Sequence, residues 1–229
     1  DTPAHIGGLV NTLNAEEKGS IADKLTYNNK DYGEEFHLNS ASANFVDQLN
    51  NEIAANFSSQ KNARFHLGGD EFSNRITKNA KYINFLNTTS KNIVNKGFIP
   101  EAWNDGFLRA NLDSMNKEIQ ITYWSWTADH FGNFGARRRA SWSTMPYLIK
   151  RGFKVLNYNN YYLYFNVSKA NLSKHNVSYM SKDLKNWNPY IWDNYQRSSH
   201  NSLKGIQGSA ISIWGSQADK IPESKIYQA

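Results

Sequence analysis

The feature that most constrains this chain is an alternation of short apolar runs with longer amphipathic stretches, most runs ending in a polar and aromatic cluster. The extended runs are Ala63 to Leu67, Phe98 to Trp103, Ile119 to Trp124, Lys154 to Tyr158 and Ser209 to Trp214. Between the runs, Phe45, Val46, Leu49, Ile53 and Phe57 recur at helical spacing behind a polar Asn39-Ser40 start, which predicts a helix from about Ser40 to Phe57. A second helical pattern carries Ile76, Ile83, Leu86 and Ile93 and stops near Gly97. Repeated strand–helix alternation predicts an α/β fold with a parallel sheet. Clusters such as Gly-Gly-Asp-Glu, Trp-Asn-Asp-Gly and Tyr-Trp-Ser-Trp just past the strands favour a (β/α)8 barrel with its site on the face of the strand C-termini. No Gly-rich dinucleotide loop follows any run, which disfavours an open doubly wound sheet.

Composition narrows the function by exclusion. No apolar run approaches the ~20 residues that cross a bilayer, so membrane insertion is not expected. The absence of Cys excludes disulfide frameworks, thiolate nucleophiles and cysteine-held zinc. The six His are scattered without ligand spacing, so neither a metal nor a cofactor is expected. A net charge of +6 permits weak attraction to anionic partners. The tight basic cluster Arg137-Arg138-Arg139 lies near Gly132 and Gly135 and reads as a solvated loop.

The chemistry is concentrated in Arg64-Phe65-His66-Leu67-Gly68-Gly69-Asp70-Glu71-Phe72, where two adjacent carboxylates follow a Gly pair at a strand end. Glycines let backbone approach a ligand closely, although a solvated turn has the same composition. Two-carboxylate glycosidases hold their acids ~5 to 9.5 Å apart across the scissile bond. Sequence neighbours do not straddle a sugar easily, so an enzyme with one acid at the glycosidic oxygen must find its nucleophile elsewhere. A 2-acetamido sugar carries one in its own carbonyl oxygen.

The segment His66-x-Gly68-Gly69-Asp70-Glu71 resembles the signature of family 20 glycoside hydrolases, whose mechanism is substrate-assisted. Further segments resemble a biofilm-degrading bacterial branch of that family in the same order: Asp1-Thr2-Pro3-Ala4-His5, Trp103-Asn104-Asp105-Gly106, Ile121-Thr122-Tyr123-Trp124-Ser125, Val155-Leu156-Asn157-Tyr158-Asn159, Tyr161-Tyr162-Leu163-Tyr164 and Ser212-Ile213-Trp214-Gly215. The resemblance implies a secreted or cell-surface bacterial β-N-acetylhexosaminidase acting on an N-acetylglucosamine polysaccharide, poly-β-1,6-N-acetylglucosamine foremost. It implies that Glu71 is general acid and base, held protonated by desolvation and by Asp70, and that Asp70 orients the acetamido group. Tyr164 would donate to the acetamido carbonyl, and Trp103, Trp124 and Trp214 would wall the sugar, though each ring also suits a barrel core. His66 is either a member of the network orienting the acids or a buried structural residue; Asp1 and His5 are secondary candidates at the same cleft.

The match also departs from the family pattern. Where that branch carries a Glu after the Trp-Gly of its last strand, this chain has Ser216, a change that removes roughly 1.5–3 kcal/mol of charge-assisted binding unless Asp219 or Glu223 compensates. The loop from Ser125 to Ser141 keeps Asp129, His130 and Asn133 but few of the branch's acidic residues. A basic chain suits a partly deacetylated, cationic polymer poorly. The Asp-x-Pro-x-His motif follows the third barrel strand in the family, so residues 1–229 are expected to form one partial catalytic barrel, from after strand three through strand eight. Such a barrel is expected to be a fragment of a longer protein, to have its raw edge covered by a partner chain, or to be inactive alone.

The competing function is a non-catalytic N-acetylglucosamine-binding module derived from such an enzyme. A basic nucleic-acid binder would show steep salt dependence but leaves the acid pair without a use, so no nucleic-acid partner is expected.

Overall fold

The frame of the molecule is a five-stranded parallel sheet of the kind that lines a β/α barrel, not closed into a ring among the described residues. The computed structural model describes residues 3–17, 22–30, 33–57, 60, 62–124, 141–192, 204–215 and 220–226. In chain order, helix α1 (Gly7–Glu17) and the short α2 (Ala22–Leu25) precede a hairpin of β1 (Thr26–Asn29) and β2 (Gly33–Phe36). Helix α3 (Ser40–Ala55) then leads to β3 (Arg64–His66), α4 (Asn79–Asn95) to β4 (Ile99–Trp103), and two 3-10 turns, Asn104–Gly106 and Arg109–Ser114, to β5 (Gln120–Tyr123). Helix α5 (Met145–Lys150) precedes β6 (Val155–Asn157); β7 (Tyr164–Asn166), α6 (Lys174–Asn186), β8 (Ile206–Ser209), β9 (Ser212–Trp214) and α7 (Glu223–Ile226) follow.

The main sheet has the order β3-β4-β5-β6-β8, every pair parallel. Its inner strands β5 and β6 are buried at every residue, as a parallel sheet covered on both faces requires, with the polar Gln120, Thr122 and Asn157 buried among apolar neighbours. Helix α3 begins where expected because the Asn39 side chain accepts the Ser42 N–H at 2.9 Å. It ends at Ala55, two residues short of the predicted Phe57. Helix α4 buries Ile83, Leu86 and Ile93 and gives way to Gly97 in a left-handed conformation (φ +85). Ile76 is not on this helix; it sits in the turn before Asn79 and is 48% exposed.

The predicted strand Ser209 to Trp214 is two strands. β8 pairs with β6 through a register shift, and β9 leaves the main sheet to pair in parallel with β7, which brings Tyr164 opposite Ser212 and Asn166 opposite Trp214. This crossover carries the last strand's aromatic end over the cleft.

Phe72, Tyr82, Leu86, Phe107, Ile121, Phe153 and Val155 form the main core between the sheet and its helices. A second cluster of Ile6, Val10, Phe36, Val46 and Phe85 fastens α1 and the hairpin to α3 and α4. Two apolar grooves flank the strands, one at the β3 edge of the main sheet and one beside the small β7–β9 sheet. A groove of about 510 Å³ beside β3 is lined by Val46, Ile53, Phe57, Phe65 and Phe98. Another of about 550 Å³ beside β7 and β9 is lined by Phe165, Met180, Leu184, Ile211 and Ile213. No helix among the described residues is long and apolar enough to cross a membrane.

Candidate active site

A cleft of about 340 Å³ opens at the C-terminal ends of the strands, lined by His5, Asp70, Glu71, Trp103, Trp124, Tyr164, Ser212 and Trp214. Most of the residues singled out from the sequence therefore meet in one place. Asp1, Asp129 and Ser216 lie outside the described residues, as do Asp219 and Arg137-Arg138-Arg139. Glu223 belongs to α7 and does not line the cleft.

The acid pair is aimed by its glycines. Gly68 and Gly69 both adopt positive φ (+84 and +98), and the buried Tyr82 hydroxyl donates to the Gly69 carbonyl at 2.7 Å. A Cβ on Gly69 would stand 2.5 Å from the Tyr82 oxygen, so this ring leaves no room for a side chain at the turn. His66 anchors the same turn. Its Nδ1 accepts the Gly68 N–H at 3.0 Å, and its Nε2 lies 2.9 Å from the Thr122 hydroxyl. Burial pushes its pKa down to about 4, so the ring is neutral at ordinary pH and its single N–H faces Thr122. His66 thus shapes the glycine turn through its hydrogen bonds to Gly68 and Thr122.

Glu71 itself has a left-handed backbone (φ +47), unusual for a residue with a side chain. Its side chain is 46% exposed at the mouth of the cleft. Asp70 is more enclosed, at 18%. His5 reaches both, with Nε2 3.5 Å from Asp70 Oδ2 and 3.4 Å from Glu71 Oε2. The His5 pKa is raised, first by its hydrogen bond to Asp70, and burial works against that rise. The other Asp70 oxygen, Oδ1, is buried and has no hydrogen-bond partner among the described residues. A buried acceptor without a donor is costly, which marks it as a place for a ligand's N–H or O–H.

The walls are aromatic. Trp103 meets Trp124 edge-on at 6.4 Å and Tyr158 at 5.4 Å, and lies 4.7 Å from the His66 ring. Across the cleft, Trp214 lies 6.0 Å from Tyr164. The Tyr164 phenol is raised by burial and then by the charges of Glu71 and Asp70, so its hydroxyl stays a donor.

Three residues that sequence reasoning gave no role complete the site. Asn104 Oδ1 accepts the Trp124 backbone N–H at 2.9 Å. Asp105 accepts the Glu71 backbone N–H. Ser212 lines the cleft from β9. The first two lie within the Trp103-Asn104-Asp105-Gly106 segment, so a motif that places polar residues beside a wall Trp was the available signal.

A parallel β/α-barrel sheet, an acid pair on a glycine turn at one strand's end and an aromatic cleft above it define a protein of the β/α-barrel class with its candidate active site at the strand C-termini. The chain belongs to glycosyl hydrolase family 20: the family's catalytic-domain profile matches residues 1–228. Among solved structures it is similar to dispersin B, at 29% identity and a TM-score of 0.86, over 100% of this chain and 67% of that one. It shares its fold with the pneumococcal virulence factor StrH, at 21% identity and a TM-score of 0.71, over 99% of this chain and 55% of that one. It is 28% identical over 152 residues to the lacto-N-biosidase of Bifidobacterium bifidum, an alignment spanning 66% of this chain and 11% of that relative.

Proposed function

We propose that this domain hydrolyses β-linked N-acetylglucosamine by a substrate-assisted, retaining mechanism, with poly-β-1,6-N-acetylglucosamine as the leading candidate polymer and the outside of a bacterial cell as its setting. The observation that carries the reading is the buried, unpartnered Oδ1 of Asp70 beside Glu71 in an aromatic cleft. An acetamido N–H donated to that oxygen satisfies it and turns the acetamido carbonyl towards the anomeric carbon. Tyr164 then donates to the carbonyl oxygen. Glu71 protonates the departing glycosidic oxygen and later takes a proton from water. Trp103, Trp124 and Trp214 exclude water and cover the apolar face and methyl group of the sugar. His5, bridging both carboxylates, fixes their relative orientation and supplies positive charge beside them. The chain spans about a tenth of the length of the biosidase it matches.

The test uses the full-length protein. A 4-methylumbelliferyl β-N-acetylglucosaminide should be hydrolysed with retention, while the β-glucoside, which lacks the acetamido nucleophile, should not turn over measurably. Equal turnover of the two would rule out substrate assistance. Saturable binding of β-1,6 oligomers without cleavage would instead support a binding module.

A further inference from the structure

We propose that Asp105 is the positioning residue of this site, clamping the backbone of Glu71 to the indole of Trp124 so that the acid and the cleft wall hold one geometry. The inference rests on the reading of Glu71 as general acid.

Asp105 is 4% exposed and does not line the cleft, so it does not touch substrate. Its two oxygens are divided between two parts of the site. Oδ2 accepts the Glu71 N–H at 3.0 Å, and Oδ1 accepts the Trp124 Nε1–H at 2.5 Å. The neighbouring Asn104 holds the backbone of the same Trp124. One 3-10 turn, Asn104–Gly106, therefore grips the wall residue twice and the acid once.

Two facts make this more than packing. Glu71 is held in a left-handed conformation that an L-residue leaves unless something fixes it, and the Asp105 bond falls on the N–H of that very residue. Two N–H donors converge on Asp105, and a carboxylate can accept from both whereas an amide has one acceptor oxygen. The charge is retained at a cost: burial raises the Asp105 pKa to about 6, Asp70 adds to the rise, and the Glu71 N–H, Arg75 and the Trp124 indole oppose it. Tyr82 also faces this carboxylate, its own phenol raised by burial and then by the charge of Asp105. A neutral side chain would avoid the burial cost and lose one of the two bonds.

A clamp acting through the general acid has a signature that a merely structural residue lacks. Aryl β-N-acetylglucosaminides with a poor leaving group need the proton from Glu71; 2,4-dinitrophenolate departs without it. In the full-length protein, Asp105→Asn should lower kcat about 10- to 100-fold for a methoxyphenyl glycoside, with a much smaller loss for the 2,4-dinitrophenyl glycoside. Trp124→Phe, which removes the other donor and leaves the Asp105–Glu71 bond, should steepen the same leaving-group dependence less. If Asp105→Asn yields no folded protein, the Trp124→Phe series alone decides. Equal losses across all leaving groups in the folded variants would overturn the clamp. A Glu71→Gln variant without leaving-group dependence would instead sink the general-acid reading, so the two failures are distinguishable.

Discussion

His5 Nε2 lies 3.4 Å from Glu71 Oε2, and both residues have left-handed backbones, with φ of 58° and 47°. The N-terminal segment and the acid turn are each held in a conformation that side-chain-bearing residues avoid, and the two strained residues meet in the cleft. The rest of the fold fixes them from behind. The Phe36 N–H donates to Pro3 at 2.8 Å, and the buried Glu35 of the same strand accepts the Ser73 N–H at 2.8 Å just past the acids. The hairpin β1–β2 therefore ties the His5 segment to the loop that carries Asp70 and Glu71.

This arrangement gives a pH-dependent contribution of known sign. The His5 pKa is raised above 6.5 by its hydrogen bond to Asp70 and the two nearby carboxylates. The stabilisation is fully present below 6.5 and is lost as pH rises through the folded value. His5→Gln should lower the melting temperature at pH 5.5 more than at pH 8.5, and should reduce kcat/KM about tenfold or more through loss of orientation. Melting curves at the two pH values check the first; a melting gap independent of pH would contradict it.

Asp105 has an opposite origin and the same direction. Burial lifts its pKa from 3.8 to about 6, so its contribution is greatest below 3.8 and is lost as pH rises through about 6. Between pH 4 and pH 7 the wild type should therefore lose stability relative to Asp105→Asn by at most about 3 kcal/mol. The loss of one hydrogen bond in the variant adds a pH-independent offset. Denaturant unfolding of both proteins across that range separates the two contributions.

Tyr82 makes a prediction about folding alone. It is wholly buried, and a Cβ at Gly106 would come within 2.0 Å of its ring. Gly106→Ala should cost about 1–3 kcal/mol or more by overpacking. Tyr82→Phe should cost about 1–3 kcal/mol by leaving the Gly69 carbonyl unsatisfied. Shrinking the ring relieves the clash, so Gly106→Ala combined with Tyr82→Ala should be less destabilised than the sum of the single changes. Additive losses in equilibrium unfolding would refute the contact.

How much of this was legible follows physical lines. The strands β4, β5 and β6 were readable because each lies in a short run whose apolar residues, among them Ala102, Ile121, Tyr123, Val155 and Leu156, are buried. The hairpin β1–β2 escaped because its strands, Thr-Tyr-Asn-Asn and Gly-Glu-Glu-Phe, are polar, with Glu35 buried only by virtue of bonds to Tyr27 and Ser73. The division of the last strand into β8 and β9 escaped because a register shift beside Gly208 leaves no periodic mark. Ile76 was misplaced because helical spacing continues through a turn whose backbone is not helical. The acid pair and the Trp walls were visible as motifs. Asp105 was visible as a residue without a role, since its partner Glu71 lies 34 positions away and only the fold brings them together.

Trp214 separates binding from stability. It stands on β9, outside the five-stranded sheet, and is 40% exposed, so its removal opens no core cavity. Its ring neighbour is Tyr164 on the paired strand β7, at 6.0 Å. Trp103 contacts His66, Tyr158 and Trp124 and so supports the acid turn as well as the wall. Trp214→Ala should therefore raise KM for N-acetylglucosamine oligomers about tenfold, or ~1.4 kcal/mol, with kcat and melting temperature little changed. Trp103→Ala should lower kcat and melting temperature together, because the His66 ring loses the face it rests against. Steady-state kinetics and melting curves on the two variants decide the matter: a Trp214→Ala protein that melts as early as Trp103→Ala would place Trp214 in the structural core instead of the sugar wall.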